Sequence, residues 1–219
     1  MQTSLKRFTV VLCAVMVLTG LTTFFFETQN VTADTVRVAC VGDSITRDTD
    51  YPELLSTLLG DNYTVKDFGV GRTTVSLQFE KPYMRQQAFK DAKSFNPDIV
   101  IVMLGTNDAY LSEEQRSNFM SDYEALIASF QALSSNPDIY IVVPPPVFNN
   151  TLGLPAEILV NDVIPQVKQT AIKLGLPTID VHTPLLDDPQ YFPDGVHPDI
   201  EGSRVIASEI YDALIQSSS

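Results

Sequence analysis

Three residues of this chain have the types and contexts for nucleophilic catalysis. Ser44 stands in Val41-Gly42-Asp43-Ser44-Ile45-Thr46, directly after a mostly apolar run at 36–41. The C-terminal end of a buried strand is where an open α/β sheet presents its reactive groups. A hydroxyl there becomes a nucleophile when an imidazole can take its proton. The chain has 2 His. His197 lies in Asp194-Gly195-Val196-His197-Pro198, with a carboxylate three residues upstream that can reach it within one turn. Ser44, His197 and Asp194 are the members of a Ser-His-Asp triad, carried by two separate loops. His182 competes for the role of base, in Asp180-Val181-His182-Thr183-Pro184. Asp180 and His182 share a face only if the strand continues through Val181.

Acyl transfer also needs donors aimed at the developing oxyanion. Asn107, in Gly105-Thr106-Asn107-Asp108, closes an apolar run and offers a neutral amide that donates without bringing charge into the site. Arg47 and Arg72 flank the glycine-containing segments and are candidates for binding substrate at the site mouth. The alternative for both is surface ion pairing with the many acids. Two His and one Cys beyond the leader, without ligand spacing, argue against a metal centre. Gly69-Val70-Gly71 lacks the third glycine and the following helix of a dinucleotide-binding loop, so no cofactor is expected.

The elements that must position these residues alternate in type. Short apolar runs at 36–41, 63–66, 99–104, 139–143 and 178–181 read as strands. Helices are expected from Asp50-Tyr51-Pro52 to Gly60, over 84–95, from the Ser112/Gln115 capping box to about 134, over 159–174, and from about 202 to 216. Pro165 either kinks the fourth of these or marks its true start. Strand–helix alternation predicts a three-layer α/β/α sandwich around a five-stranded parallel sheet. A parallel sheet also brings the loops carrying Ser44, Gly71, Asn107 and Asp194/His197 to one edge.

The first 33 residues stand apart. Lys6 and Arg7 precede an apolar run at 8–26, and Val31 and Ala33 fit the small-residue rule of a signal-peptidase site. The expectation is a signal peptide at 1–33, with an uncleaved anchor as the alternative, and one domain at 34–219 that works as a secreted or surface-exposed protein. Cys40 is the single cysteine of that domain, so no internal disulfide is expected. The formal net charge of −13 repels phosphate backbones and anionic lipid heads. Nucleic acid is thereby an unsuitable partner, and membrane is one only if the leader is retained.

Gly42-Asp43-Ser44-Ile45-Thr46, Gly105-Thr106-Asn107-Asp108 and Asp194-Gly195-Val196-His197-Pro198 resemble three signature blocks of the SGNH, or GDSL, hydrolases, in the right order along about 36–213. Phe68-Gly69-Val70-Gly71-Arg72-Thr73-Thr74 resembles the remaining block less closely. There the family shows an Asn, a Gly two later and another Gly three after that, whereas this chain has Asp67, Gly69 and Gly71, one residue short. Arg47 and Asp48 also stand where the family has small residues. The resemblance implies the flavodoxin-like strand order 2-1-3-4-5. It implies a serine esterase with Ser44 as nucleophile, His197 as base and Asp194 as its orienting acid. The oxyanion hole would comprise the Ser44 N–H, the N–H of Gly71 (or of Gly69) and the Asn107 side chain. The implied substrates are O-acetyl groups on carbohydrates or short-chain acyl esters, small-molecule or glycan. The alternatives are a lysophospholipase or thioesterase, and a glycan-binding protein without turnover.

Overall fold

The structure, a computed structural model, describes residues 35–217. The expected leader at 1–33 lies outside the described residues. Five strands, β1 (Val36–Gly42), β2 (Tyr63–Asp67), β3 (Ile99–Met103), β4 (Asp138–Val143) and β5 (Thr178–Asp180), form a parallel sheet in the order β2-β1-β3-β4-β5. Gly42 pairs with Met103, and Val143 pairs with Asp180. The C-terminal ends of the strands therefore share one edge, as the placement of the motifs requires. Order reverses between β1 and β3, which is where a crevice opens in such sheets.

The helices are α1 (Ser44–Arg47), α2 (Tyr51–Leu59), α3 (Gln87–Ser94), α4 (Glu113–Arg116), α5 (Phe119–Gln131), α6 (Ala156–Ile158), α7 (Ile164–Leu174) and α8 (Ile200–Ser217). Alternate residues of each strand feed opposite layers, because side chains in a strand point to opposite faces in turn. Ala39, Val41, Val100, Val102, Ile139 and Ile141 pack with Phe89 of α3, with Tyr123, Ile127 and Phe130 of α5, and with Val167 of α7. Val38, Cys40, Ile101, Met103, Tyr140 and Val142 pack with Tyr51 and Leu55 of α2 and with Ile206 and Ile210 of α8. The sheet is buried on both faces, hence its continuous apolar runs.

Three expected helices differ in detail. The segment 84–95 begins as a 3₁₀ turn, Tyr83–Arg85, before α3 starts at Gln87. The Ser112 capping box is present, with Ser112 and Gln115 bonding each other's backbone N–H, but the helix breaks after Arg116. α5 then restarts at Phe119, its apolar stripe turned to the sheet. Pro165 marks the true start of α7, the second of the two expected readings. It occupies the second position of α7, behind a π-helical turn at Leu159–Val163. Proline is tolerated in the first turn of a helix, where the N–H it lacks would have no intrahelical partner.

Candidate active site

Ser44 opens α1 immediately after β1. Asp43 caps that turn, its Oδ1 accepting the Ile45 N–H at 2.9 Å. Gly42 is required behind it, since a Cβ there would collide with the Thr46 hydroxyl and lie 2.8 Å from the Met103 carbonyl. The turn thus lies against the end of β3, with Ser44 9 % exposed at the sheet edge.

His197 reaches Ser44 from a loop that follows β5. Its Nε2 is 2.8 Å from Ser44 Oγ, and its Nδ1 is 2.7 Å from Asp194 Oδ2. An ionised carboxylate only accepts, so Nδ1 carries the proton and Nε2 accepts from the Ser44 hydroxyl. Asp194 Oδ1 in turn accepts the backbone N–H groups of Val196 at 2.9 Å and His197 at 2.7 Å. Partial burial raises the Asp194 carboxyl, but the bonds from His197 and Val196 outweigh that and hold it below the usual carboxylate value. Gly195 makes the turn possible. Its φ is +83°, and a Cβ there would stand 2.5 Å from the Asn149 carbonyl oxygen. The Phe148 N–H donates to the Gly195 carbonyl at 2.8 Å, tying this loop to the segment after β4.

His182 is elsewhere engaged. Its Nδ1 lies 3.0 Å from the Pro144 carbonyl, and its N–H donates to Asp180 Oδ1. Strand β5 ends at Asp180, so the pairing that needed the strand to continue does not form.

The segment after β2 runs beside the Ser44 turn. The Val70 N–H donates to the Gly42 carbonyl at 3.0 Å, and Gly69 packs against the Arg47 backbone. The Gly69 N–H is committed to Asp67 Oδ1 at 2.6 Å. No acceptor among the described residues holds the Gly71 N–H, whereas its carbonyl accepts from Lys81 Nζ at 2.8 Å. Asn107, in a 3₁₀ turn after β3, donates from Nδ2 to the Thr73 carbonyl at 3.1 Å, which leaves its second amide hydrogen. Five positions after Asp67 stands Arg72, with φ +65°. The left-handed region that favours glycine is here occupied by an arginine.

The two arginines part company. Arg47 stacks over Gly71, and its Nε and NH2 reach Asp48 Oδ1 and Oδ2 at 2.6 and 2.5 Å. The candidate substrate-binding role of Arg47 is therefore compromised, because its charge is already matched. Arg72 is exposed and has no ion pair among the described residues.

Two buried carboxylates beside the site were not singled out from the sequence, although both lie inside the recognised blocks. Asp108 is fully buried and accepts the Val75 and Ser76 N–H groups at 2.9 Å each, clamping the segment after β2 to the turn after β3. Asp43 is 1 % exposed, and its Oδ2 is without a hydrogen-bond partner among the described residues. No group of three or more acidic, His or Cys residues suited to a metal occurs among the described residues.

Comparison with known proteins follows the same lines. Acetylxylan esterase of Xylanibacter ruminicola is 33 % identical over 208 residues, covering 83 % of this chain and 43 % of the relative. The chain thus spans less than half the length of that curated relative. Among solved structures, an acetyl xylan esterase, AlAXEase, superposes with a TM-score of 0.67 at 20 % identity, covering 82 % of this chain and 100 % of that one. An aryl esterase of M. smegmatis gives 0.65 at 18 % identity, over 82 % and 98 % of the two chains. These likenesses establish the α/β fold. The model of the GDSL-like lipase/acylhydrolase family matches residues 40–205, which include the β1 turn of Ser44, the Asn107 turn and the Asp194–His197 loop, and this chain belongs to that family.

Proposed function

We propose that this protein is a serine esterase that hydrolyses carboxylic esters through an acyl-enzyme, with O-acetyl groups on carbohydrates as its substrates. The observation that carries the reading is the continuous hydrogen-bonded path from Asp194 through His197 to Ser44, at 2.7 and 2.8 Å. Ser44 Oγ attacks the acyl carbon while His197 Nε2 takes its proton. The carbonyl oxygen becomes an oxyanion, stabilised by the Ser44 and Gly71 N–H groups and the second Asn107 amide hydrogen. His197 returns its proton to the sugar oxygen as the C–O bond breaks, which leaves an acetyl group on Ser44. Water then attacks the acetyl carbon, His197 takes the water's proton and passes it to Ser44 Oγ as that bond breaks, and acetic acid departs. Asp194, held ionised by its donors, orients the imidazole and stabilises the imidazolium.

The carbohydrate assignment is supported by the name of the curated relative, an acetylxylan esterase. We also propose that the protein works outside the cytosol, on the strength of Lys6, Arg7 and the apolar run that follows. The test compares acetylated xylo-oligosaccharides with p-nitrophenyl esters of increasing acyl length. Acetate release from the oligosaccharide, with turnover falling steeply beyond short acyl chains, is expected. Faster turnover of long acyl chains would replace this reading with a lipid hydrolase. Sugar binding without acetate release would replace it with a glycan-binding protein.

A further inference from the structure

Among the described residues, the non-glycine residues with positive φ are Arg72 at +65°, Asn96 at +50° and Asn136 at +49°. Asparagine enters this region readily, because its short polar side chain compensates locally. Arginine has no such compensation, and backbone strain of this kind gathers at functional sites. The strained residue is also a cation without a counter-ion among the described residues, in a chain of net charge −13. It stands next to Gly71 and one residue before Thr73, whose carbonyl accepts from Asn107.

Tyr110 completes the surroundings. It ends the turn that carries Asn107, is 44 % exposed, and its hydroxyl donates to the Leu152 carbonyl at 2.9 Å. Its phenol is raised by partial burial, lowered by Arg72 and raised by Asp194, so it lies within electrostatic reach of both. A tethered, exposed aromatic ring is a surface on which the C–H face of a sugar can lie. The other arginine, Arg47, is already paired with Asp48.

We propose that Arg72 is a specificity-determining residue that pairs with a carboxylate on the substrate, and that Tyr110 supports the sugar ring bearing it. This rests on the esterase reading above and narrows it to O-acetylated glycans containing uronic acid units. The guanidinium offers a two-pronged donor that matches a carboxylate, and the acidic remainder of the surface leaves Arg72 as a local attractor for anions.

The experiment measures kcat/KM on two acetylated xylo-oligosaccharides that differ only in a uronic acid branch next to the acetylated unit, with p-nitrophenyl acetate in parallel. Wild type should prefer the acidic oligosaccharide. Arg72→Gln should reduce the acidic-to-neutral ratio ~10-fold, the loss of one charge-assisted contact at an exposed site, and Arg72→Lys should restore part of it. Salt at about 0.5 M should collapse the wild-type ratio and leave that of Arg72→Gln unmoved. Arg72→Gly should lower the ratio while raising Tm, because glycine relieves the backbone and a purely structural arginine would change Tm alone. Tyr110→Ala should raise KM for both oligosaccharides. An unchanged ratio in Arg72→Gln overturns the proposal and leaves the esterase standing. Failure of wild type on all three esters, without fluorophosphonate labelling of Ser44, removes the esterase reading itself.

Discussion

At Ser44 the nucleophile depends on a single acceptor, His197 Nε2, for activation. Ser44→Ala should abolish fluorophosphonate labelling, and His197→Ala should be nearly as damaging, because members of such a unit fail together. Asp194→Asn should cost less than removing the imidazole, while His182→Ala, whose ring faces the Pro144 carbonyl, should leave kcat close to wild type. Steady-state kinetics rank the four variants. A dead His182 variant beside a working His197 variant would exchange their roles. Asn107 supports a separate prediction. Asn107→Ala removes an oxyanion donor and should lower kcat by roughly 10²–10³ with little change in KM. A change confined to KM would make Asn107 a substrate-binding residue instead.

Among the elements, the loop of Asp194 and His197 and the segment after β2 hold the site in place through backbone contacts. Gly195 and Gly60 offer a matched comparison. Both have positive φ, +83° and +74°, but a Cβ at Gly195 meets the Asn149 carbonyl at 2.5 Å, whereas at Gly60 nothing lies within 4 Å. Each Ala variant should lose about 1–3 kcal/mol to a backbone conformation that side chains with a Cβ rarely adopt. Gly195→Ala should lose more than Gly60→Ala and also lower kcat, because relieving the clash displaces the imidazole. Thermal melts and kinetics on both proteins decide it. Equal effects on kcat would mean that the loop position does not control the triad.

Over the whole molecule, burial governs how stability varies with pH. The Asp43 carboxyl is pushed up to about 7, by burial first, against the Ile45 N–H and the charge of His197, and with the help of Asp108. Asp108 is pushed up to about 6 by burial, against its bonds from Ser76 and Val75. In the unfolded chain both ionise near ~3.9. The native state therefore keeps these protons to higher pH. Their contribution to stability is fully present below about pH 4 and is lost as pH rises through about 6 to 7. Asp43→Asn holds a neutral group whose oxygen can still accept the Ile45 N–H. Its stability should gain on that of wild type between about pH 4 and about pH 7, by up to ~1.4 kcal/mol per pH unit, as thermal melts across that range would read. A constant difference across that range would mean that Asp43 is ionised throughout.

The alternation of apolar runs and helical segments determined the parallel sheet, because side chains buried on both faces leave continuous apolar strands that are legible without coordinates. The Asp194–His197 pairing was equally legible, since three residues and a glycine turn suffice to bring them together. The contact between His197 and Ser44 spans 153 positions, and tertiary structure alone closes it. It alone also removed His182, by ending β5 at Asp180, and matched Arg47 to Asp48 while leaving Arg72 exposed. Backbone angles, not residue names, place the left-handed position at Arg72. The raised carboxyls of Asp43 and Asp108 were invisible for the same kind of reason: desolvation depends on how much protein surrounds a group, and that is decided only when distant segments pack over it.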